Sequence, residues 1–340
     1  MGIRAGIRAL AAWISVGLSA SLAMSPWDAA VASAPDCDRR CLENFVDRYL
    51  DAMLAHDPAK VPFAPEVRFT QNGQRLEPGD GLWRSITGKG TYRMFVTDVE
   101  SGHVAFLGSI KEADTPAMLA LHLRVRRDQI TAAEMLVQRN TASAQGFEAI
   151  GSTWSNPVAG GRMNRDELLR TANMYFSGMQ QDDGKGMYPF DEECNRIENG
   201  AFATNVPTAA GETRPDPATA SRPSNQWTCL EQLQSGLLHY VSRVRDRRFV
   251  AVDPDRGLVF SYVFFDFMAG DNRTFRVPQG RTVTAGPNQP ETWEVAEAFR
   301  IERGKIRQIM AITEPAPYGM NSGWSTWTEG MSTESRDASR

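Results

Sequence analysis

Residues 245–267, RDRRFVAVDPDRGLVFSYVFFDF, decide the fold of this chain. They begin as an apolar strand, break at the polar cluster 253–257 and continue as a second apolar strand. Pro254 and Gly257 in such a cluster predict a tight turn, because glycine adopts positive φ without strain. The stretch therefore predicts a β-hairpin, and we expect the rest of the fold to be built around it.

The second strand of this hairpin is apolar on both faces. Because side chains alternate along a strand, one face carries Phe260, Tyr262, Phe264 and Asp266, and the other carries Ser261, Val263, Phe265 and Phe267. A strand of this kind lies in a sheet that is covered on both sides. Asp266 is its only charged residue, and this makes it the first candidate for chemistry.

The composition is that of a soluble globular protein. The 340 residues are 41% hydrophobic and 23% charged, and they suffice for two domains. A net charge of −4 gives no electrostatic basis for binding nucleic acid or an anionic membrane. The expected partner is a small apolar molecule.

Residues 1–32 have the features of a signal peptide. Arg4 and Arg8 precede the mostly apolar run 10–24, and Ala30-Val31-Ala32 offers a cleavage site. A membrane anchor is the alternative, but it needs about 20 apolar residues, and this run is shorter and interrupted by serines. We expect an exported protein, periplasmic or secreted, that is free of the membrane after cleavage.

The four cysteines predict two disulfides, since an even count is typical of exported chains. Three pairings are possible, and we favour Cys37–Cys41 and Cys194–Cys229. A zinc site is the competing interpretation. The spacing CxxxC with two distant cysteines and no nearby histidine matches metal ligation poorly, so no metal is expected.

The chain contains an internal repeat. Amphipathic helices are predicted in both halves, and placing Tyr175 over Tyr49 aligns the two. Residues 189–190 and 198–200 then repeat the Pro-Phe and Asn-Gly of 62–63 and 71–73, and the strand pairs 117–125/130–137 and 294–301/306–312 close each half.

This repeat predicts an α+β fold of two tandem domains, each a curved antiparallel sheet wrapped around N-terminal helices. The first domain covers 36–142, a linker 143–163 and the second domain 164–322. Insertions at 203–226 and 269–289 lengthen the second domain, and 325–340 is predicted to be a disordered tail. We expect the halves to pack as a pseudo-dimer through the convex faces of their sheets, with a homodimer as a further possibility.

Three strings of the sequence resemble a known group of proteins: RFTQNGQRLEPGDGLW, VRDRRFVAVDPDRGLVFSYVFFDF and PYGMNSGW. They look like an exported tandem-domain group within the nuclear transport factor 2-like, or SnoaL-like, cone-fold superfamily, and the resemblance covers about 36–324. The resemblance implies that the two tandem domains are cone-shaped α+β barrels. It also implies a deep apolar pocket between the helices and the concave sheet. Enzymes of the superfamily, such as ketosteroid isomerase and scytalone dehydratase, use Asp, His and Tyr there without a metal.

The chain lacks the sequence motifs GxSxG, Walker A, the dinucleotide fingerprint and HExxH. Hydride transfer, phosphoryl transfer and metalloprotease chemistry are therefore disfavoured, and no cofactor is expected. What remains is acid–base chemistry by polar groups in an apolar cavity, as in a lyase or isomerase.

Five residues are candidates for this chemistry. Burial would raise the pKa of Asp266 and make it a usable base, whereas the alternative is a salt bridge to an arginine of the hairpin. The resemblance implies that Tyr175 or Tyr49 donates a hydrogen bond to an oxyanion, although both also fit a plain core. His122 and His239 are candidate acid–base groups, or else satisfied core histidines.

A second set of residues is predicted to bind the substrate: Tyr262, Phe264, Trp227, Asn199, Tyr318 and Trp83. Asn199 and its repeat equivalent Asn72 fit a turn-forming role as well. Glu297 either faces the cavity as a second carboxylate or pairs with an arginine, and we favour the pairing.

The second half, with its longer loops, is expected to contain the main pocket. We predict a cofactor-independent lyase or isomerase that acts on a small, largely apolar hydroxylated or carbonyl compound. The alternatives are a binding protein with an open pocket and no chemistry, and an accessory structural protein whose pocket is filled by its own side chains.

Overall fold

The structure is a computed structural model that describes residues 37–151, 154, 156–158 and 161–340, except for the side chains of 271 and 272. The predicted signal peptide, residues 1–32, lies outside the described residues.

The first half is one helix packed on a six-stranded sheet. Its elements are α1 (Arg39–Leu54), β1 (Phe63–Gln71), β2 (Gln74–Arg75), β3 (Ile86–Asp98), β4 (His103–Glu112), β5 (Thr115–Arg126) and β6 (Gln129–Gln138), with 3₁₀ turns at Pro58–Lys60 and Gly81–Arg84. The strand order is β2-β1-β6-β5-β4-β3. The sheet is mixed rather than wholly antiparallel, because β1 runs parallel to β6.

The second half repeats this plan. Its elements are α2 (Thr141–Ile150), α3 (Arg165–Met179), β7 (Phe190–Glu198), β8 (Ala201–Phe202), α4 (Cys229–Gln234), β9 (Val241–Asp253), β10 (Leu258–Phe267), β11 (Thr274–Arg276), β12 (Thr282–Thr284), β13 (Glu291–Glu302), β14 (Lys305–Ala316), α5 (Trp327–Met331) and β15 (Ser335–Asp337), with a 3₁₀ turn at Gly270–Arg273. The large sheet has the order β15-β9-β10-β13-β14-β7-β8, and β11 and β12 form a separate hairpin in the second insertion. Helix α3 begins with the capping box of Asn164 and Glu167.

The predicted hairpin is confirmed as β9 and β10. Gly257 in its turn has a φ of 59°, and a Cβ added there would lie 2.3 Å from the carbonyl oxygen of Ile301. Only glycine fits this turn without strain. Strand β10 pairs with β9 on one side and with β13 on the other, and so it lies well inside the sheet.

The sheet of the second half is covered on both faces, as its sequence predicts. Val263 and Phe265 belong to the core that packs against α3. Phe260 and Tyr262 belong to a different core, in which they meet first-half side chains such as Met94. The two sheets therefore pack face to face, and the predicted α+β fold of two tandem cone-shaped domains is confirmed.

Both predicted disulfides are present, Cys37–Cys41 and Cys194–Cys229. The second bond connects β7 to the first residue of α4, and it thereby joins the first insertion to the sheet. Among the described residues, no helix combines the length and the hydropathy needed to cross a bilayer.

Two predicted irregular segments contain regular structure. The linker 143–163 includes most of α2, which is capped by Asn140 and buries Phe147 5.1 Å from the ring of Tyr92. The tail 325–340 was predicted to be disordered, and this is wrong. It forms α5 and β15, and β15 pairs with β9. Its polar side chains meet buried charges of the hairpin, which composition alone does not reveal.

Candidate functional site

A cavity of about 670 Å³ lies in the second half, between α3 and the concave face of the sheet. Tyr175 and Met179 of α3 form one wall, and alternate residues of β10 and β13 form the opposite wall. Parts of both insertions, 203–226 and 269–289, also line it. The sequence predicts a pocket in the second half, and this cavity lies there.

Three polar side chains meet at this cavity: Tyr175, Arg196 and Glu297. Glu297 lies in the middle of β13, and its side chain points inward like those of Trp293 and Val295 because side chains alternate along a strand. It is 2% exposed and Arg196 is 6% exposed. A carboxyl and a guanidinium thus share a site that is otherwise largely shielded from water.

The carboxyl group of Glu297 has an unusual electrostatic environment. Burial raises its pKa to about 8, and the nearby Arg196 and a hydrogen bond with Tyr175 only partly offset that effect. Its Oε2 atom has no hydrogen-bond partner among the residues that the structure describes. The predicted pairing with an arginine is wrong, because no cation of the described residues lies within 4.0 Å of it. The group is therefore a mostly neutral acid at pH 7.

Arg196 is held in place by several contacts. Its guanidinium pairs with Glu198, donates to Gln232 Oε1 at 2.6 Å and lies 5.6 Å from the ring centre of Tyr175. Burial alone would lower the pKa of Arg196, but Glu198 and the other acidic neighbours raise it. Its Nε–H is buried and has no hydrogen-bond partner in the described part of the chain. The site therefore offers an unused donor as well as an unused carboxyl oxygen.

The rest of the cavity combines aromatic walls with a charged mouth. Phe265, Phe267 and Trp293 supply flat apolar surface, and Trp293 lies 4.7 Å from Phe267. Arg222 of the first insertion and Arg273 of the second also line it. Within the described part of the chain, no three His, Cys, Asp or Glu side chains converge as metal ligands. The arrangement suits a flat organic molecule that carries oxygen atoms.

The first half has apolar residues at the equivalent positions. Leu121 pairs with Met135 across the sheet in the same register as Glu297 pairs with Ala311. By the same pairing, Phe69 of β1 stands where Arg196 stands in β7. These first-half side chains are buried in one core cluster. Two apolar-to-charged differences thus separate the halves at this site.

Asp266 is not the base that the sequence suggested. It lies on the opposite face of β10 from the cavity, where Arg245 donates to its two oxygens at 2.8 and 3.1 Å. Arg243 and Thr292 donate to it as well. Burial alone would raise the pKa of Asp266, but these hydrogen bonds lower it. The salt-bridge alternative is therefore the correct one.

The two candidate histidines also lie away from the cavity. His122 Nε2 is 2.8 Å from His103 Nδ1, and burial lowers the pKa of His122 well below 6.5. His239 Nδ1 is 3.1 Å from the carbonyl oxygen of Asp182. Together with Tyr318, it lines another cavity, of about 590 Å³, and Phe267 contributes to the walls of both cavities.

Four aromatic candidates have structural contacts. Trp83 donates to the hydroxyl of Tyr49 at 3.1 Å inside the first-half core. Tyr262 and Phe264 lie on the same face of β10 as Asp266, and the Tyr262 hydroxyl donates to the Glu134 carbonyl at 3.3 Å. The sequence showed that both faces of β10 were apolar, and the face that we selected was the one turned away from the cavity.

Trp227 and Asn199 shape the surroundings of the site. Trp227 is buried in a small core within the insertions and donates to the Pro215 carbonyl at 2.7 Å. Asn199 accepts from Thr313 N at 2.9 Å and has a φ of 47°, and Asn72 bonds Val137 in the same way. Both asparagines therefore shape turns, as the alternative interpretation proposed. Of the predicted residues, Tyr175 alone lines the cavity with Glu297.

Sequence reasoning missed Arg196, Gln232, Arg222 and Arg273. A usable signal was present for Arg196 in the repeat itself. When the strands are aligned by their closing turns, Glu297 falls on Leu121 and Arg196 on Phe69. When a charged residue in one half aligns with an apolar residue in the other half, that position is unlike an ordinary core position. Such a position is therefore a candidate for a functional site.

Solved structures similar to this chain each match about a third of it. A de novo designed protein with a curved β-sheet is 14% identical, with 33% of this chain and 98% of that chain covered at a TM-score of 0.26. An NTF2-like protein of unknown function from Cytophaga hutchinsonii ATCC 33406 is 9% identical, with 28% and 89% covered at 0.24. An NTF2-like protein from Burkholderia thailandensis E264 is 19% identical, with 29% and 91% covered at 0.23.

Two of these proteins carry the name of the superfamily that the sequence resembles. The cone fold of this chain is assigned from its own helices and sheets, which are described above. No curated protein matches the sequence. The sequence model of one protein family, Domain of unknown function (DUF8021), matches residues 31–137 and 161–313. The match spans both halves, and the chain belongs to this family.

Proposed function

We propose that the second half is a cofactor-independent acid–base catalyst, a lyase or isomerase that acts on a small, largely apolar carbonyl or hydroxylated compound. The observation that supports this most is Glu297, a buried carboxyl with a free oxygen in a cavity of about 670 Å³. Its position is taken by a leucine in the other half of the same chain. A catalytic role explains why the second half retains a costly buried acid there.

In this proposal Glu297 transfers the proton. A pKa of about 8 lies close to neutral pH, where a general base combines a useful ionised fraction with good proton affinity. Ionised Glu297 takes a proton from the carbon next to the carbonyl group. It then returns that proton to another carbon, which isomerises the substrate, or to a departing hydroxyl, which leaves as water.

Arg196 and Tyr175 assist this step. The free Nε–H of Arg196 is available to the substrate carbonyl oxygen, which becomes negatively charged when the carbon loses its proton. Tyr175 lines the cavity beside Glu297 and lowers the pKa of its carboxyl, and we assign to it the orientation of that group. The aromatic walls exclude water, which strengthens both interactions.

The test is a comparison of two isosteric variants on one strand. Glu297→Gln removes the proposed proton carrier, and Glu294→Gln is the matched control, because Glu294 also lies on β13, is buried and has a pKa raised to about 8, chiefly by burial. Glu294 points away from the cavity. Hydroxylated aromatic and β-hydroxy-carbonyl compounds would be incubated with each protein and the products followed by mass spectrometry.

Turnover by the wild type should fall by about 100-fold or more in Glu297→Gln and persist in Glu294→Gln. Equal turnover by wild type and Glu297→Gln would remove Glu297 from the mechanism. Equal loss in both variants would point to a general effect of changing a buried acid rather than to catalysis.

A binding protein without chemistry is the second candidate. It is favoured by the contacts that hold the Arg196 guanidinium to Glu198 and Gln232, since an arginine fixed in this way can serve for recognition alone. In that case a compound raises the melting temperature of the wild type and is recovered unchanged. The protein is then a carrier or sensor for the same class of molecule.

The proposal includes export to an oxidising compartment. It is supported by the two disulfides, a bond type that is rare in the cytosol. Thiol titration and N-terminal sequencing of protein recovered from its native cells would test it. Free thiols or an intact residue 1–32 segment would contradict it.

A further inference from the structure

Two arginines at the mouth of the cavity, Arg222 and Arg273, form no ion pair with any side chain that the structure describes. We infer that the ligand of this cavity has a carboxylate group at the end that faces solvent, and that Arg222 and Arg273 bind it. The inference rests on the proposed function in that it concerns the same cavity, and it adds the chemical class of the ligand.

The two arginines come from different insertions that are held together. Arg281 of the second insertion donates to the carbonyl of Ala218 at 2.7 Å and to that of Ala220 in the first insertion. Arg222 follows Ala220 by two residues, and Arg273 accepts from Ala285 N through its backbone oxygen at 3.1 Å. Their relative positions are therefore set by the fold of the insertions.

Other arginines of the insertions have protein partners. Arg214 pairs with Glu231, and Arg276 donates to the Gly280 carbonyl at 2.8 Å. By contrast, Arg222 donates no hydrogen bond to any described residue. Among the same residues, the side chain of Arg273 donates only to the neutral side chain of Asn288. Guanidinium groups are suited to carboxylates, which they bind through two parallel hydrogen bonds.

The acidic residues of the lining do not cancel this charge. Glu198 is paired with Arg196, and Glu297 is mostly protonated at neutral pH. Among the described lining residues, Glu291 is the one remaining acidic side chain, against the two arginines of the mouth. The mouth thus keeps a net positive charge, which attracts anions.

The polar groups at the two ends and the walls between them define the ligand. Arg196 and Glu297 line the inner end of the cavity, where they would bind an oxygen atom of the ligand. Phe265, Phe267 and Trp293 line the walls, where they would contact a flat ring. A carboxylate at the outer end completes the set. The expected class is an aromatic or alicyclic carboxylic acid with a carbonyl or hydroxyl group opposite the carboxylate.

A matched pair of probes tests this inference. The sodium salt of 4-acetylbenzoate and its methyl ester have the same ring and carbonyl, and they differ in the charge. Binding to the full mature chain at pH 7 would be measured by isothermal titration or ligand-observed NMR. The variants are Arg222→Gln, Arg273→Gln and their combination, with Arg214→Gln as the control from the same insertion, and melting curves would check folding.

The acid should bind about tenfold more tightly than the ester, which corresponds to about 1.4 kcal/mol. The preference should shrink in each single variant, vanish in the double variant and persist in Arg214→Gln. It should also persist in Glu297→Gln, so that the result is independent of whether the protein turns the compound over. Equal binding of acid and ester, a preference that survives in the double variant, or no binding of either probe would overturn the inference.

Discussion

Leu121 and Glu297 occupy the same position in the two halves of the molecule. Leu121 lies opposite Met135 and Glu297 lies opposite Ala311, and each second-half residue follows its counterpart by 176 positions. Leu121 is buried in an apolar core, whereas Glu297 borders a cavity. One repeated fold therefore supports a filled interior in one half and a polar site in the other.

Exchanging these two side chains should show how much the polar site lowers the free energy of unfolding. Glu297→Leu removes a buried carboxyl with an unsatisfied oxygen and should stabilise the fold by about 1–3 kcal/mol while abolishing turnover. Leu121→Glu places a carboxyl in a closed core and should destabilise by about 3 kcal/mol or more. Urea unfolding of both variants measures the two effects. A destabilising Glu297→Leu would mean that the carboxyl supports the fold.

Asp266→Asn should act on stability rather than on chemistry. Arg245 and Asp266 are 0% and 1% exposed, and removing one charge of a buried pair costs about 3–5 kcal/mol because the other is left uncompensated. Turnover per folded molecule should be retained, since Asp266 faces away from the cavity. Denaturation curves and assays on the folded fraction separate the two effects. A variant that is stable but inactive would contradict this assignment.

The raised pKa values of Glu294 and Glu297 predict a loss of stability as the pH rises. Both have a pKa of about 8 in the folded protein and 4.5 as the reference value. Between these values the folded state binds protons that the unfolded state has released. Each group's contribution to the free energy of unfolding is therefore complete below pH 4.5. Between pH 4.5 and pH 8 it falls by about 1.4 kcal/mol per pH unit.

Urea unfolding at pH 5.5, 7 and 8.5 measures the slope of the free energy of unfolding against pH. Glu294→Gln and Glu297→Gln should each make it shallower, because an amide does not titrate. The double variant should be the least sensitive to pH in this range. An unchanged slope in all three variants would show that the two carboxyls ionise normally.

The sequence predicted the hairpin and the alternation of β10, because both follow from local chemistry: a turn glycine and a period of two. It did not predict which face borders the cavity. Both faces of β10 are apolar, and the choice depends on the side where α3 packs. Asp266 was therefore chosen as the chemical group, whereas Glu297 on the neighbouring strand lies at the site.

The sequence also predicted the two disulfides, because the spacing of the cysteines favours one pairing. Cys37 and Cys41 are close in sequence, and this leaves Cys194 and Cys229 for each other. The order of the C-terminal tail was not predictable from composition, because many of its contacts are polar: Ser325 and Arg336 donate to the buried Asp246, and Arg165 donates to Asp337. Long-range polar pairing of this kind leaves no periodic pattern in the sequence.

The two disulfides should differ in their effect on stability. Cys194–Cys229 closes a loop with a sequence separation of 35, and Cys37–Cys41 one with a separation of 4. Replacing Cys194 and Cys229 by serines should cost about 4 kcal/mol in the chain-entropy account, and replacing Cys37 and Cys41 should cost less. The first replacement should also weaken ligand binding, because α4 positions Gln232 beside Arg196. Melting temperatures of the two variants provide the comparison, and equal losses would contradict it.

Deleting residues 325–340 should destabilise the second half. Strand β15 pairs with β9, Arg336 pairs with Asp246, and Arg165 donates to Asp337 at 2.7 Å. The deletion exposes an edge strand and removes partners from buried charges, which should cost about 3 kcal/mol or more and favour aggregation. Trp327→Ala is the control within the same segment, because Trp327 is 68% exposed and its loss should change the melting temperature little. A truncated protein as stable as the full chain would show that the tail rests on the fold without supporting it.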